Sequence, residues 1–327
     1  MNMKCVRILS FAVALFGVAA MSSAQTLQEV VEARNKGTEL MASGDLNAAI
    51  AELERCAEMA RQVGDDAEEH LVVVESALPN LYLRKANEIN ATRDFPATLT
   101  ALKAAIEAAE KYNDPSVKER AERTVPQVYL AMGSADFQAQ RFNEAIQNLN
   151  LALERDPSLT QAYFVRGASY QQLKDDPNME ESYRLAIEKG TENGDAAIVQ
   201  RARTQLSNFH NQAGSAAQRA KRWDDAIAAF SKTVEIDEQN TTALYSLAAC
   251  FYEKKNWDDT ISNIEKAIEF RTGRENWTVD NANYFLGAAH MGKNNNAKAC
   301  EHFRLVGEGT TFHARAKHFI EQTLKCR

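Results

Sequence analysis

Cysteine is scarce in this chain, with five in 327 residues and no C-x-x-C among them. A dithiol redox motif or a zinc ribbon needs that spacing, so neither is written here. Glycine is modest at 14 residues, and no glycine-rich phosphate loop, G-x-S-x-G or H-E-x-x-H occurs. The sequence therefore carries no signature of a nucleotide site, a serine hydrolase or a zinc peptidase. Positive charge is not in excess either: 38 basic residues stand against 45 acidic ones, a net charge of −7. That balance argues against a nucleic-acid partner and against docking on anionic lipid. Long apolar runs are absent but for one, "ILSFAVALFGVAAM" at residues 8–21, and its 14 residues are too few for a membrane span.

Lys4 and Arg7 precede that run and the small residues Ser22, Ser23 and Ala24 come after it, which is the layout of a secretory signal peptide. The reading predicts cleavage after Ala24; the alternative is an uncleaved amino-terminal anchor. Lys4 and Arg7 are the only charges in those residues, so their loss takes the net charge from −7 to −9. Cys5 lies before the run and not at its end, against a lipid-anchored start. Of the other four cysteines, Cys56, Cys250, Cys300 and Cys326, the pair Cys300 and Cys326 is the candidate disulfide in an oxidising compartment, burial at helix contacts being the commoner fate of a small thiol. The expected location is the periplasm, with extracellular release as the alternative.

What the sequence has in abundance is repetition. "RFNEAIQNLNLALERDP" from Arg141 returns as "RWDDAIAAFSKTVEIDE" from Arg222 and as "NWDDTISNIEKAIEFRT" from Asn256. Trp223, Ala226, Ile227, Phe230 and Val234 fall at steps of three and four, on one face of a helix. Weaker copies begin at Gly44, Arg93, Asp175 and Asn294. They keep a small residue with a large apolar one four positions later, as in Ala49 and Leu53, Thr98 and Leu102, Ala299 and Phe303, whereas Met179 takes the small position before Tyr183. Upstream of each copy is a second helical pattern centred on Gly37, Ala86, Gly133, Gly167, Gly214, Ala248 or Gly287. Glycine inside a helix costs about 1 kcal/mol relative to alanine, so its repeated use implies close approach of two helices.

The spacings between those small residues are 49, 47, 34, 47, 34 and 39. The long ones contain polar helical stretches ("DDAEEHLVVV", "DPSVKERAERT", "GDAAIVQRARTQL") that extend the upstream helix, kinking it near Pro79 and Pro126, or that form separate short helices.

A 34-residue helix–turn–helix unit carrying W-x2-L-G-x2-Y, A-x3-F and a closing proline characterises the tetratricopeptide repeat. This chain resembles that family through "AYFVRGASYQQL" (Gly167, Tyr170), "LYSLAACFYEKKNWDDTI" (Leu247, Ala248, Phe251) and Pro157, over about residues 30–306. The resemblance implies an all-α, right-handed superhelical solenoid of about seven helix pairs, some with extended first helices. In that organisation residues 1–24 are the signal peptide, 25–310 the solenoid and 311–327 a capping helix whose Phe312, Ala316, Phe319, Ile320 and Leu324 share a face.

The resemblance also implies a concave groove lined by the first helices. Its geometry selects Gln127, Leu130, Ser134, Phe137 and Gln138; Gln161, Phe164 and Gln171; Asn208, Asn211, Ser215, Gln218 and Arg219; Thr242, Tyr245 and Tyr252; and Asn281, Tyr284 and Met291. Amides and aromatics dominate this set, and they can pair with peptide backbone or sugar hydroxyls and offer stacking area. The implied function is a non-catalytic scaffold of the bacterial envelope that binds other proteins or extended peptide segments through the groove, without a cofactor. The alternative is a module that captures peptide or glycan on the same surface. The carboxylate clamp of some family members is disfavoured: Arg34 and Asn35 would suit it, but Leu130 and Phe164 stand where charge is needed. His290, His302, His313 and His318 crowd the end of the chain near Cys300 and Cys326, yet no pair has the i, i+4 spacing that a helical zinc site favours, so no metal is expected.

Overall fold

The computed structural model describes residues 26–326, so the expected signal peptide falls outside the described residues. These residues form fifteen α-helices and no strand, divided into two compact units with the boundary between Val128 and Tyr129. The first unit holds α1 (Leu27–Ser43), α2 (Leu46–Val63), α3 (Glu68–Ala91), α4 (Phe95–Lys111) and the start of α5 (Pro115–Gln138). The second holds the rest of α5 with α6 (Phe142–Arg155), α7 (Thr160–Leu173), α8 (Asp176–Asn193), α9 (Ala196–Arg219) and α10 (Trp223–Ile236). It continues through α11 (Thr241–Glu253), α12 (Trp257–Glu269), α13 (Val279–Gly292), α14 (Asn296–Arg304) and the short α15 (His313–His318).

Up to α14 these helices make seven antiparallel pairs, and one contact recurs along them. A small residue on the first helix meets a large one sixteen positions on, in the second. Gly37 meets Leu53, Gly133 meets Leu149, Gly167 meets Tyr183, Gly214 meets Phe230 and Gly287 meets Phe303. A Cβ on Gly214 would lie 2.8 Å from the Phe230 ring, and one on Gly287 2.7 Å from that of Phe303. No side chain fits there, which is why the helical cost of glycine is tolerated. All five large partners are at most 3% exposed, as are Leu102 and Ile264 at the same offset from Ala86 and Ala248.

The turn inside each pair is equally regular. Two residues before the second helix the backbone is left-handed, at Gly44 (φ 88°), Arg93 (61°), Gln140 (60°), Lys174 (58°), Lys221 (56°), Lys255 (58°) and Asn294 (60°). Several second helices are then fixed by a side-chain cap, with Asp45, Asp94, Asp175, Asn256 and Asn295 each accepting a hydrogen bond from a first-turn backbone N–H.

The three long spacings have one structural explanation. α3, α5 and α9 are each continuous helices of 24 residues, with Pro79 and Pro126 inside the first two. The extra residues are additional turns of the first helix and not separate short helices. A proline removes a single bond of the ladder, and α3 is held on both sides of Pro79 by buried Val74, Leu78, Leu81 and Leu83.

After α14 the chain turns at Gly307 and Gly309 and folds back over the seventh pair. The expected capping helix over 311–327 is shorter than its pattern. α15 gives way at Phe319–Thr323 to a wider turn, closed by the Leu324 N–H donating to the Phe319 carbonyl at 2.8 Å. Cys326 is bonded to Cys300 of α14, with their Cα atoms 5.8 Å apart. Cys56 and Cys250 are free and buried.

Candidate functional site

Within the second unit α7 touches α9, α9 touches α11 and α11 touches α13. The second helices stand further apart, and long side chains bridge them, as Lys232 of α10 does to Glu180 of α8 at 3.3 Å. The first helices therefore occupy the tighter, inner side of this layer. Their outward positions form the surface on which the selected residues are expected.

Of the residues selected for that surface, Asn208 is exposed, Gln161, Ser215 and Gln218 are half-buried, and none of these side chains has a hydrogen-bond partner among the described residues. Leu130 and Phe137 are half-buried against the cluster around Tyr163 and Phe164, with the Phe137 and Phe142 rings 5.7 Å apart. Gln171 is exposed and accepts a hydrogen bond from the Tyr183 hydroxyl at 3.0 Å. Asn211 and Asn281 each bury a side-chain oxygen with no hydrogen-bond partner among the described residues. Gln127 is exposed in the first unit. Tyr245 lies flat on Trp277, with ring centroids 5.0 Å apart, and burial pushes its phenol up to about 12. Tyr252 packs edge-on against Phe285 at 5.1 Å.

Two selected residues are not on the surface. Phe164 is 8% exposed, lodged between the Tyr183 ring at 5.5 Å and the Arg201 guanidinium at 4.2 Å. Tyr284 is 2% exposed and stacked on Phe312 at 4.3 Å. The returning C-terminal segment carries Phe312 over α13, so residues 282–290 are buried without interruption. The inner surface accordingly ends at α11, with Tyr245 and Tyr252 at its rim.

A face in the first unit lies outside the selected set. Asn80, Leu83, Asn87 and Ala91 of α3 line a cleft of about 470 Å³, closed on one side by Arg120, which donates to the Asn80 side-chain oxygen at 2.7 Å. Asn80 and Asn87 stand at the same offsets from Ala86 as Gln127 and Ser134 do from Gly133, so the repeat register itself points to them. Arg34 contacts the His70 ring at 2.9 Å.

The segment between α12 and α13 carries no repeat signal and is likewise outside that set. It is held by Glu275, whose carboxylate accepts hydrogen bonds from the Thr272 and Gly273 backbone N–H groups and the Thr272 hydroxyl, at 2.6, 2.8 and 3.0 Å. Those bonds hold its carboxyl down to about 2. They shape the loop that brings Trp277, 5% exposed, onto Tyr245.

The terminal histidines do not gather as a group. His290 and His302 stack at 5.5 Å, His302 pairs with the Asn283 amide oxygen at 3.0 Å, and His313 pairs with the Val306 carbonyl at 3.0 Å. Among the described residues no three His, Cys, Asp or Glu side chains come close enough to hold a metal, and no helix is long and apolar enough to cross a membrane.

Burial lowers the pKa of His290, as do the neighbouring His302, Lys298 and Lys293, with Glu265 opposing; burial likewise lowers His302 and the buried His210. A histidine whose folded value is depressed stabilises the fold fully above its unfolded value of about 6.5, and that contribution is lost as pH falls below it. The melting temperature is therefore expected to drop between pH 7 and 5, before the carboxylates titrate. The drop should be smaller in His290→Asn, as thermal unfolding in a pH series would show.

Tetratricopeptide repeat models match residues 35–63 and 126–159, and another model of the same repeat matches 211–271. No curated protein matches the chain. Among solved structures it is similar to YrrB, described as a TPR protein with an unusual peptide-binding site, at 21% identity over 59% of this chain and 91% of that one, with a TM-score of 0.31. It is also similar to the P58(IPK) TPR domain, at 12% identity over 91% and 98% of the two chains and a TM-score of 0.33. A third is the TPR2AB domain of yeast Sti1 in complex with pHSP90, at 14% identity over 75% and 96%, with a TM-score of 0.30.

Proposed function

Because this chain is a tetratricopeptide repeat protein, we propose that it is a non-catalytic scaffold that holds protein partners, or extended segments of them, on the inner face of its first helices. The observation that carries this reading is the run of unengaged polar side chains, Gln161, Asn208, Ser215 and Gln218, on the side where successive first helices touch. An amide without an internal partner offers donors and an acceptor to a peptide backbone without breaking a bond inside the protein.

The envelope is the location we propose. The leader-like residues 1–24 support it, and so does the Cys300–Cys326 bridge, since disulfides persist in oxidising compartments.

The test is crosslinking and affinity purification of the protein from its own cells, comparing wild type with Gln161→Arg/Gln218→Arg at equal melting temperature. A defined set of proteins lost in the variant is the expected result. Partners retained by a folded variant would remove the inner face from consideration. Oligosaccharides or short peptides that raise the melting temperature, with no copurifying protein, would favour the capture reading instead.

A further inference from the structure

The added turns of α9, residues 196–207, overhang the junction between α10 and α11, and between them lies a cleft of about 300 Å³. A 34-residue unit lacks those turns and so lacks one wall of this cleft. Arg203, Ser207 and Asn208 contribute from α9, and Asp237 and Asn240 from the opposite side. Ser207 is 6% exposed, and its hydroxyl has no hydrogen-bond partner among the described residues. Arg203 is exposed and, like the Asn208 amide, makes no ion pair or hydrogen bond there.

The second wall carries the opposite charge. Asp237 caps the carboxyl end of α10; one oxygen accepts from the Gln239 N–H at 3.2 Å and the other from the Asn240 amide at 3.4 Å, and no cation among the described residues lies within ion-pair distance. The charges of Arg203 and Asp237 thus share one small cleft without forming an ion pair with each other or with anything else among the described residues. The Ser207 hydroxyl and two exposed charges of opposite sign, neither of them in an ion pair among the described residues, suit a ligand that brings both signs itself. Helix polarity reinforces the arrangement, since a cation is favoured at the carboxyl end of α10, where Asp237 sits. The volume is at the small end of the range of ligand sites, about 300–1,000 Å³.

We propose that this cleft binds a small zwitterion, a free α-amino acid or a dipeptide, with its carboxylate on Arg203, Ser207 and Asn208 and its ammonium on Asp237. The cleft shares Asn208 with the inner face proposed above, whereas Gln161, Ser215 and Gln218 do not line it.

Calorimetric titration of the full chain with glycine, L-alanine and L-alanyl-L-alanine tests it, with acetate and methylammonium as single-charge controls. The zwitterions are expected to bind at least tenfold more tightly than either control. Arg203→Gln and Asp237→Asn should each weaken them at least tenfold without a change in melting temperature. Ser207→Ala, should it unfold the chain, is dispensable, because the two charge variants report on the site without it. Acetate binding as tightly as glycine would make this an anion site and overturn the proposal, as would the absence of heat from every zwitterion at millimolar concentration. Partner capture by the inner face is tested separately through Gln161 and Gln218, which do not line the cleft.

Discussion

Tyr284→Ala is expected to cost the seventh pair about 3–5 kcal/mol, the range for truncating a large buried aromatic to alanine. Its ring is 2% exposed and surrounded by Phe285, Phe303 and Phe312 at centroid distances of 5.8, 6.0 and 4.3 Å. Packed rings in such arrangements add to the area they bury. In a repeat array each pair is held by its neighbours, so the loss should be local at first. Residues 279–326 should exchange their amide hydrogens faster while α1–α8 keep wild-type protection. Hydrogen exchange with mass spectrometry resolves this directly, and unchanged protection over α13 and α14 would mean that Tyr284 is not a core residue. Tyr284→Ala is for the same reason a poor probe of partner binding.

Opening the Cys300–Cys326 bridge should have the next largest effect. The two cysteines are 26 residues apart, and for a closed loop of that length the chain-entropy account gives about 3.5 kcal/mol. Phe312, Phe319, Ile320 and Leu324 still hold the segment by apolar contact with the cluster around Phe303. We therefore expect dithiothreitol, or Cys326→Ser, to leave the first unit untouched and to release residues 313–326, with new tryptic cleavage after Arg315 and Lys317, both exposed. Identical digestion patterns in the oxidised and reduced protein would show that the apolar contacts alone fix the segment.

Much of the fold is legible in the sequence because its defining contact is local. A small residue and a large one sixteen positions apart, repeated from Gly37 and Leu53 to Gly287 and Phe303, can be found by eye. Whether the added turns of α3, α5 and α9 are continuous is not legible, since proline interrupts a pattern in the same way whether a helix bends or ends. The surface is harder still. Whether a first-helix position faces solvent depends on what lies over it, and Phe312, which covers Tyr284, comes from beyond the turn at Gly307. Phe164 is drawn inward by Tyr183 and Arg201, the latter from the extended helix of the next pair. The cleft at Arg203 leaves no trace in the sequence because its walls, the first turns of α9 and the last of α10, are brought together only by packing.

The recurrence of that one contact also bears on how the chain reaches its fold. Pairs close on partners sixteen residues apart, and within each unit a pair then docks on the one before it, so the topology has a low contact order and no step that waits for distant segments to meet. Folding can proceed through each unit as a wave, with even the disulfide joining residues only 26 apart. In such a wave a damaged pair stalls the later pairs of its unit and spares the earlier ones, so the severity of a core lesion is set by its place along the chain as well as by its chemistry.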